Sequence, residues 1–433
     1  VAAVEGLTKI PELRRRIFFT LGLLAVYRAG CHIPVPGINT DTLSRFFQSN
    51  QNTLFGMLNM FSGRALENAS IFALGIMPYI SASIIFQLLT VVWPYLNQLS
   101  KEGELGRRKI NQYTRYATVV LAMFQGFGMA SALMSAESES YVLLPGLQFK
   151  FVAVITLAAG TSFIMWLGEQ ISERGIGNGS SLIIFSGIAS GIPVSAQQTW
   201  QMVKDGQLSP LLLVIILALM VAVIGVIIYL EQGQRRIPIQ YAKRQVGRRL
   251  YGGQSTHLPL KINTSGVIPP IFASSLLMAP LTIITFLPAN AFSDQIRNLL
   301  GRGSLVYYLF YVGLIVFFCF FYTAVVFNPT EVAENLKKHG GYVPGIRPGT
   351  NTAEYIDRVL TRITYGGALY IASVCLLPDL LINKFKVSFF FGGTTLLILV
   401  GVALDTVAQI QTFLLTRDYE GFMKNAKLRG RRG

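Results

Sequence analysis

The sequence predicts an all-α polytopic membrane protein of ten transmembrane helices, arranged as two inverted five-helix halves. Three observations predict it. Hydrophobic residues make up 52% of the 433 and charged residues only 13%, and the mean hydropathy is +0.49, which excludes an ordinary soluble domain. Ten apolar stretches follow one another, each near the length that crosses a bilayer core of roughly 30 Å. Most of the 37 Lys and Arg residues fall into six patches, with two apolar stretches between each patch and the next. Lys/Arg bias in short loops sets orientation, so both termini and every basic patch are expected in the cytoplasm.

The elements follow in order. Val1–Arg14 places Leu7, Ile10 and Leu13 on one helical face and predicts a short amphipathic helix on the membrane surface. The spans are expected at about Ile17–Ile33, Ser70–Trp93, Ala117–Ser135, Phe151–Leu167, Ser180–Ala196, Pro210–Leu230, Ser265–Leu287, Leu305–Phe327, Ile363–Leu377 and Phe389–Leu404. The first follows Arg14–Arg16 as a signal peptide would. PVPG comes after it rather than a small-residue cleavage site, so it reads as a retained helix.

Pro34, Pro36 and Gly37 then turn the chain into an external segment. Its second part, Thr53–Leu66, is moderately apolar and too short to span. The pattern alone fits a re-entrant helix and a peripheral external helix equally well. The cytoplasmic loop Glu231–Ile262 carries seven Lys/Arg against one acid. Ile237, Ile239 and Tyr241 alternate there, and Gly247 and Gly252–Gly253 mark turns, which predicts a hairpin-like protrusion. In the second long loop, Asn328–Arg362, the run KKHGGYVPGIRPG favours a defined turn over a helix. The expected division is an N-terminal half, 1–203, an external hinge, 204–209, a C-terminal half, 210–414, and a basic tail, 415–433. Five spans per half give the halves opposite orientation, a plan common among transport proteins.

The chemistry that is missing narrows the function. Cys31, Cys319 and Cys375 show no metal or redox spacing and read as small buried apolar residues. The spans hold few charges: Arg28 lies in the first and Asp405 ends the tenth, while Glu169, Glu231 and Asp379 sit at span ends. These read as interfacial groups or local hydrogen-bonded pairs. A secondary transporter of small solutes, the alternative reading, would normally need ionisable groups near the midplane. A membrane-embedded enzyme would need a catalytic constellation, and neither HExxH nor clustered histidine is present. RGIGNGSS (Arg174–Ser181) lacks the Gly-Lys-Ser/Thr ending of a phosphate loop and reads as a tight turn before a close-packed helix. No catalytic, metal or cofactor site is therefore expected, and the chain does not read as an enzyme.

Several long strings carry a specific resemblance: FALGIMPYISASIIFQLLTVVWP (Phe72–Pro94), SKEGELGRRKINQYTRY (Ser100–Tyr116), WLGEQISERGIGNGSSLIIF (Trp166–Phe185), QRRIPIQYAKRQVGRRLYGGQSTHLPLKIN (Gln234–Asn263), GVIPPIFASS (Gly266–Ser275) and ENLKKHGGYVPGIRPG (Glu334–Gly349). They closely resemble the SecY-type protein-conducting channels of bacteria, and the likeness runs across essentially the whole chain. The resemblance implies a ten-helix clamshell around a central pore with a lateral gate toward lipid. It would pass unfolded secretory polypeptides and release transmembrane segments sideways.

By motif, the pore ring would be Ile76, Ile80, Ile184, Ile188, Ile271 and Ile398. A narrow apolar ring dewets and blocks ions, yet offers a passing chain nothing to bind. Thr53–Leu66 would be the plug, with Leu54, Phe55, Met57, Leu58, Met60 and Phe61 as its apolar residues. The lateral gate would include Ser81, Gln87, Thr90, Gln125, Asn263 and Thr264. Arg235, Arg236, Lys243, Arg244, Arg248, Arg249 and Arg347 would dock the ribosome, through its RNA, or the SecA motor ATPase. The implied partners are also the small SecE and SecG subunits, signal peptides, nascent chains and anionic lipids. The implied location is the bacterial inner membrane.

Overall fold

The computed structural model describes residues 11–49, 59, 62–135, 142–143, 146–206, 209–241, 244–246, 249–251, 255–285, 304–385 and 393–425. The elements are α1 (Pro11–Gly30), α2 (Thr40–Ser49), α3 (Met77–Val92), α4 (Pro94–Lys101), α5 (Glu104–Ser135), α6 (Leu147–Arg174), α7 (Gly179–Lys204) and α8 (Pro210–Gln232). Four strands follow: β1 (Gln234–Tyr241), β2 (Arg244–Val246), β3 (Arg249–Tyr251) and β4 (Ser255–Lys261). The remainder comprises α9 (Ile268–Thr285), α10 (Leu305–Val326), α11 (Pro329–Lys338), β5 (Gly341–Tyr342), α12 (Thr350–Phe385) and α13 (Gly393–Asn425). Each of the ten expected apolar spans overlaps one helix, namely α1, α3, α5 to α10, α12 and α13. Among the described residues, six helical runs are each long and apolar enough to cross a membrane, and α3 with α4 makes a seventh that bends by 97°.

Several boundaries differ from the sequence expectation. Residues 1–10 of the expected amphipathic helix lie outside the described residues, and Pro11–Arg14 is the first turn of α1 itself. The second span was expected from Ser70, but residues 70–76 are turns and the helix starts at Met77. Gly75 is left-handed, at φ +57°, and Pro78 sits in the first helical turn, where its missing N–H costs nothing. At the other end Pro94 forces Trp93 into an extended conformation (φ −96°, ψ 116°) and opens α4.

The chain forms two compact units: residues 1–201 with 278–302 and 402–433, and residues 202–277 with 303–401. In the first unit α5 packs along α6 and α3, and α1 along α6. Val35, Ala73, Ala130, Val142, Phe149, Ala153 and Leu157 form a buried cluster at the external end. The external helix α2, which the sequence reading did not anticipate, lays Leu43 and Phe47 on Ala69. Its start is marked by Asn39, whose side chain accepts from the Asp41 N–H at 3.2 Å.

The RGIGNGSS stretch is the tight turn expected of it. Gly177 is left-handed at φ +89°, and Asn178 accepts from the N–H of Ser180 at 3.1 Å to cap α7. A side chain at Gly179 would meet the backbone of Gly168, so these two glycines let α6 and α7 touch.

In the second unit, β1 pairs antiparallel with β4 and with β5, giving the order β4-β1-β5. The alternation read in 237–241 is real: Ile237 and Ile239 are buried while their neighbours face out. Ile237, Leu260, Val343 and Ile356 form the core of this sheet, with α11 residues Val332 and Leu336 against it. Residues 328–362 were expected as a loop. They instead hold α11 and the first turns of α12. Asn328 caps α11 by accepting from the N–H groups of Thr330 and Glu331, and Pro329 occupies the first turn. The defined turn expected around Gly340–Gly349 is present, with Gly340, Gly345 and Gly349 all left-handed.

Candidate pore, gate and docking residues

The six ring isoleucines are all buried, between 0% and 6% exposed. In the first unit, Ile76 caps α3 and Ile80 lies one turn on, with the Ile80 N–H donating to the Ile76 carbonyl at 3.1 Å. Ile184 and Ile188 share the same four-residue spacing on α7, so each pair lies on one helical face. In the second unit, Ile271 is in the first turn of α9 and Ile398 in the second turn of α13. These helices meet closely there, since a side chain at Gly401 would collide with Val267.

All six plug residues, Leu54, Phe55, Met57, Leu58, Met60 and Phe61, lie outside the described residues. The segment just after them is described, and it is built against the first unit. Tyr27 donates from its hydroxyl to the Ser62 carbonyl at 3.2 Å, and Arg28 donates to the Gly63 carbonyl at 2.8 Å. A side chain at Gly63 would lie 2.9 Å from Gly187 Cα, between the two α7 ring positions. One at Gly75 would lie 3.4 Å from Ser62 Cα, beside ring residue Ile76.

A polar knot holds this turn in shape. Arg64 grips the Glu67 carboxylate with two bonds of 3.0 and 3.2 Å. Asn59 donates to the same carboxylate at 3.1 Å and accepts from the Glu67 N–H at 2.9 Å. Glu67 is only 8% exposed, so this pairing offsets a large desolvation cost. Arg64 (φ 66°) and Ala69 (φ 44°) are left-handed without being glycine, which costs about 1–2 kcal/mol each unless surrounding bonds hold them.

The gate candidates divide by unit. Ser81, Gln87 and Thr90 lie on α3 and Gln125 on α5, all half-buried. Thr90 donates to the Gln87 carbonyl at 2.7 Å, and Gln87 Nε2 reaches Ser83 Oγ at 3.5 Å. In the second unit, Asn263 donates to Glu231 and to the Gly266 carbonyl at 2.9 Å and accepts from Ser265 at 2.9 Å. The Thr264 hydroxyl shares a 3.0 Å hydrogen bond with that of Thr323. Beside Gln87 and Thr90, α3, α4 and α5 line an open, almost wholly apolar cavity of about 490 Å³, whose walls include Phe86, Trp93, Tyr95, Tyr113 and Tyr116.

Of the docking candidates, Arg235 and Arg236 are exposed on β1 and Arg347 is exposed in the turn before α12. The Arg347 carbonyl accepts from the Thr352 hydroxyl at 2.9 Å, which fixes its backbone while the guanidinium stays free to reach a partner. Arg244 and Arg249 fall on β2 and β3, and Lys243 and Arg248 lie outside the described residues.

Three of the charges noted near the spans have hydrogen-bond partners. Glu169 binds Arg115 at 2.7 Å, Glu231 binds Asn263 at 2.6 Å, and Arg28 binds the Gly63 carbonyl. Cys31, Cys319 and Cys375 are buried and form no disulfide. Among the described residues, no group of three metal-ligating side chains occurs.

These features define a multi-pass helical membrane protein in which Arg28, Glu169 and Glu231 are bonded within the protein itself and whose proposed ring is purely apolar. A family model described as SecY matches residues 70–407. The chain is 52% identical over 425 residues to the protein translocase subunit SecY of Escherichia coli (strain K12), covering 97% of this chain and 96% of that one. It is 51% identical over 421 residues to that of Rickettsia felis, covering 96% and 97%. A solved protein-conducting channel aligns with a TM-score of 0.64 at 17% identity, over 94% of this chain and 96% of the other. Sec61 in the canine ribosome–channel complex aligns with a TM-score of 0.60 at 17% identity, over the same shares. The chain belongs to the SecY family, and it is a channel-forming protein translocase subunit.

Proposed function

We propose that this chain is the central pore subunit through which unfolded secretory polypeptides cross a bacterial inner membrane. Transmembrane segments leave it sideways into lipid. The observation that carries the reading is the near-full-length identity to protein translocase subunits. The two halves, 1–203 and 210–414, hinge at 204–209, and both termini with the 415–433 tail face the cytoplasm. Ile76, Ile80, Ile184, Ile188, Ile271 and Ile398 form the collar, and Thr53–Leu66 stoppers it at rest.

The collar needs no ionisable group. Branched apolar side chains repel water from a narrow gap, and they close around a passing chain of any sequence without holding it. Ser81, Gln87, Thr90, Gln125, Asn263 and Thr264 bridge the lateral seam with hydrogen bonds often worth about 1 kcal/mol or less in a membrane, so it parts readily. The apolar stretch of a signal peptide docks in the aromatic cavity beside Gln87, whose walls are suited to it.

Energy comes from outside. The basic residues of 231–262, together with Arg347, receive either a ribosome or the SecA motor ATPase; the likeness to a channel solved with a ribosome supports the first. SecE and SecG complete the complex, and anionic lipid neutralises the basic cytoplasmic face. Proteoliposomes holding this chain with the two small subunits test the reading. With motor ATPase and ATP, an unfolded secretory protein should become protease-protected inside. No protection in an assembled complex would contradict it.

A further inference from the structure

Arg28 is the one charge placed well inside an expected span, and the polypeptide-channel reading makes no use of it. Its guanidinium donates to the carbonyl of Gly63, 35 residues on, and its neighbour Tyr27 does the same for Ser62. We infer that Arg28 is a positioning residue that roots the external stopper segment on the first helix and so sets how firmly the resting channel is sealed. This inference rests on the reading of Thr53–Leu66 as the stopper.

The physical reason lies in the backbone. Residues 62–76 run as turns rather than helix, and Ser62 and Gly63 are buried there. Each carbonyl of such a segment needs a donor from protein or water. The Ser62 carbonyl accepts from the Ala65 N–H at 3.4 Å as well as from Tyr27, while the carbonyl of Gly63, in a left-handed turn, takes its donor from Arg28. A charge in an apolar helix is costly unless it is put to such use.

The knot of Asn59, Arg64 and Glu67 makes the turn a single body, because the three side chains and the Glu67 N–H are bonded together and the Arg64 N–H donates to the Asn59 carbonyl. Holding Gly63 therefore holds the whole of 62–69. That body touches Gly187 and Gly75, next to ring residues Ile184, Ile188 and Ile76. A tether at Gly63 thus acts where the stopper meets the collar. An ordinary role for Arg28, neutralising the end of the α1 dipole, would not require a partner so far away in sequence.

The test compares Arg28→Met, Arg28→Lys and Tyr27→Phe in the full complex, with deletion of 53–66 as reference. Two readouts are taken: resting ion conductance in planar bilayers, and amide hydrogen exchange along the chain. Losing a charge-assisted bond to a buried carbonyl shifts an opening equilibrium by roughly tenfold or more. Arg28→Met should therefore raise exchange at 62–69 by about that factor and raise resting conductance, with α5 and α6 unchanged. Arg28→Lys should fall between Arg28→Met and wild type, and Tyr27→Phe should give a smaller rise. Wild-type exchange at 62–69 in Arg28→Met overturns the inference, as does a rise spread equally over α5 and α6, which marks general loosening. A leaking deletion beside a tight Arg28→Met channel overturns the inference alone. A tight deletion channel overturns the stopper reading and the inference with it.

Discussion

The Asn263 amide donates a 2.6 Å hydrogen bond to the Glu231 carboxylate, tying the chain before α9 to the last turn of α8. Asn263 is 4% exposed, and its other bonds go to Ser265 and Gly266. It thereby organises the start of the helix that carries Ile271. Asn263→Ala should destabilise the purified complex by about 1.5–3 kcal/mol, because it removes a charge-assisted hydrogen bond from a partly buried carboxylate. Glu231→Gln, which keeps an acceptor, should cost less. Thermal melting in detergent reads the difference, and equal melting of wild type and Asn263→Ala would contradict this role.

Ile80 separates dryness from packing. Ile80→Val removes one methylene and should cost about 1 kcal/mol of stability while leaving resting conductance low. Ile80→Ser brings a hydroxyl into the collar and should let water and ions through. Single-channel recordings of the two variants, at matched levels of assembled complex, should therefore differ in conductance. Equal leakage from both would mean that volume, not wetting, sets the seal.

Asn178 caps α7 through the N–H and hydroxyl of Ser180. Asn178→Ala should cost about 1 kcal/mol. Gly179→Val should cost far more, because its side chain would run into the Gly168 backbone. Protease resistance of the detergent-solubilised protein ranks the two, and the order is expected to be wild type, Asn178→Ala, then Gly179→Val.

Arg347 presents its side chain to solvent from a turn fixed by Thr352. Arg347→Glu should thus change folding stability by no more than about 0.5 kcal/mol. It should impair motor-driven export more than insertion of ribosome-bound membrane proteins. Parallel export and insertion assays check this, and equal loss of both would point to a folding defect.

The long apolar spans were legible because length and hydropathy suffice to place them, and the hairpin of 231–262 was legible from its two-residue alternation. The short helices α2 and α11 were not read, although Asn39 and Asn328-Pro329 mark their starts. Helices of that length draw their stability from packing, here of Phe47 on Ala69 and of Leu336 on the sheet core, which local pattern does not reveal. The stretch 70–76 looked like span because it is apolar, while Gly75 and Pro78 decided otherwise. Arg28 was visible as a charge, but its partner at Gly63 was not, since no local spacing links positions 35 residues apart. The six ring isoleucines are indistinguishable by pattern from other isoleucines in spans, and only family likeness singled them out.

The central claim is that a polypeptide passes through the isoleucine collar. A photoreactive residue placed at position 80 or at position 271, in a complex holding a stalled secretory chain, tests it most directly. Crosslinking to the stalled chain from both positions, and none from a lipid-facing position such as Val221 on α8, is the predicted result. Absence of crosslinks from both collar positions, with the chain shown to be engaged, would contradict it.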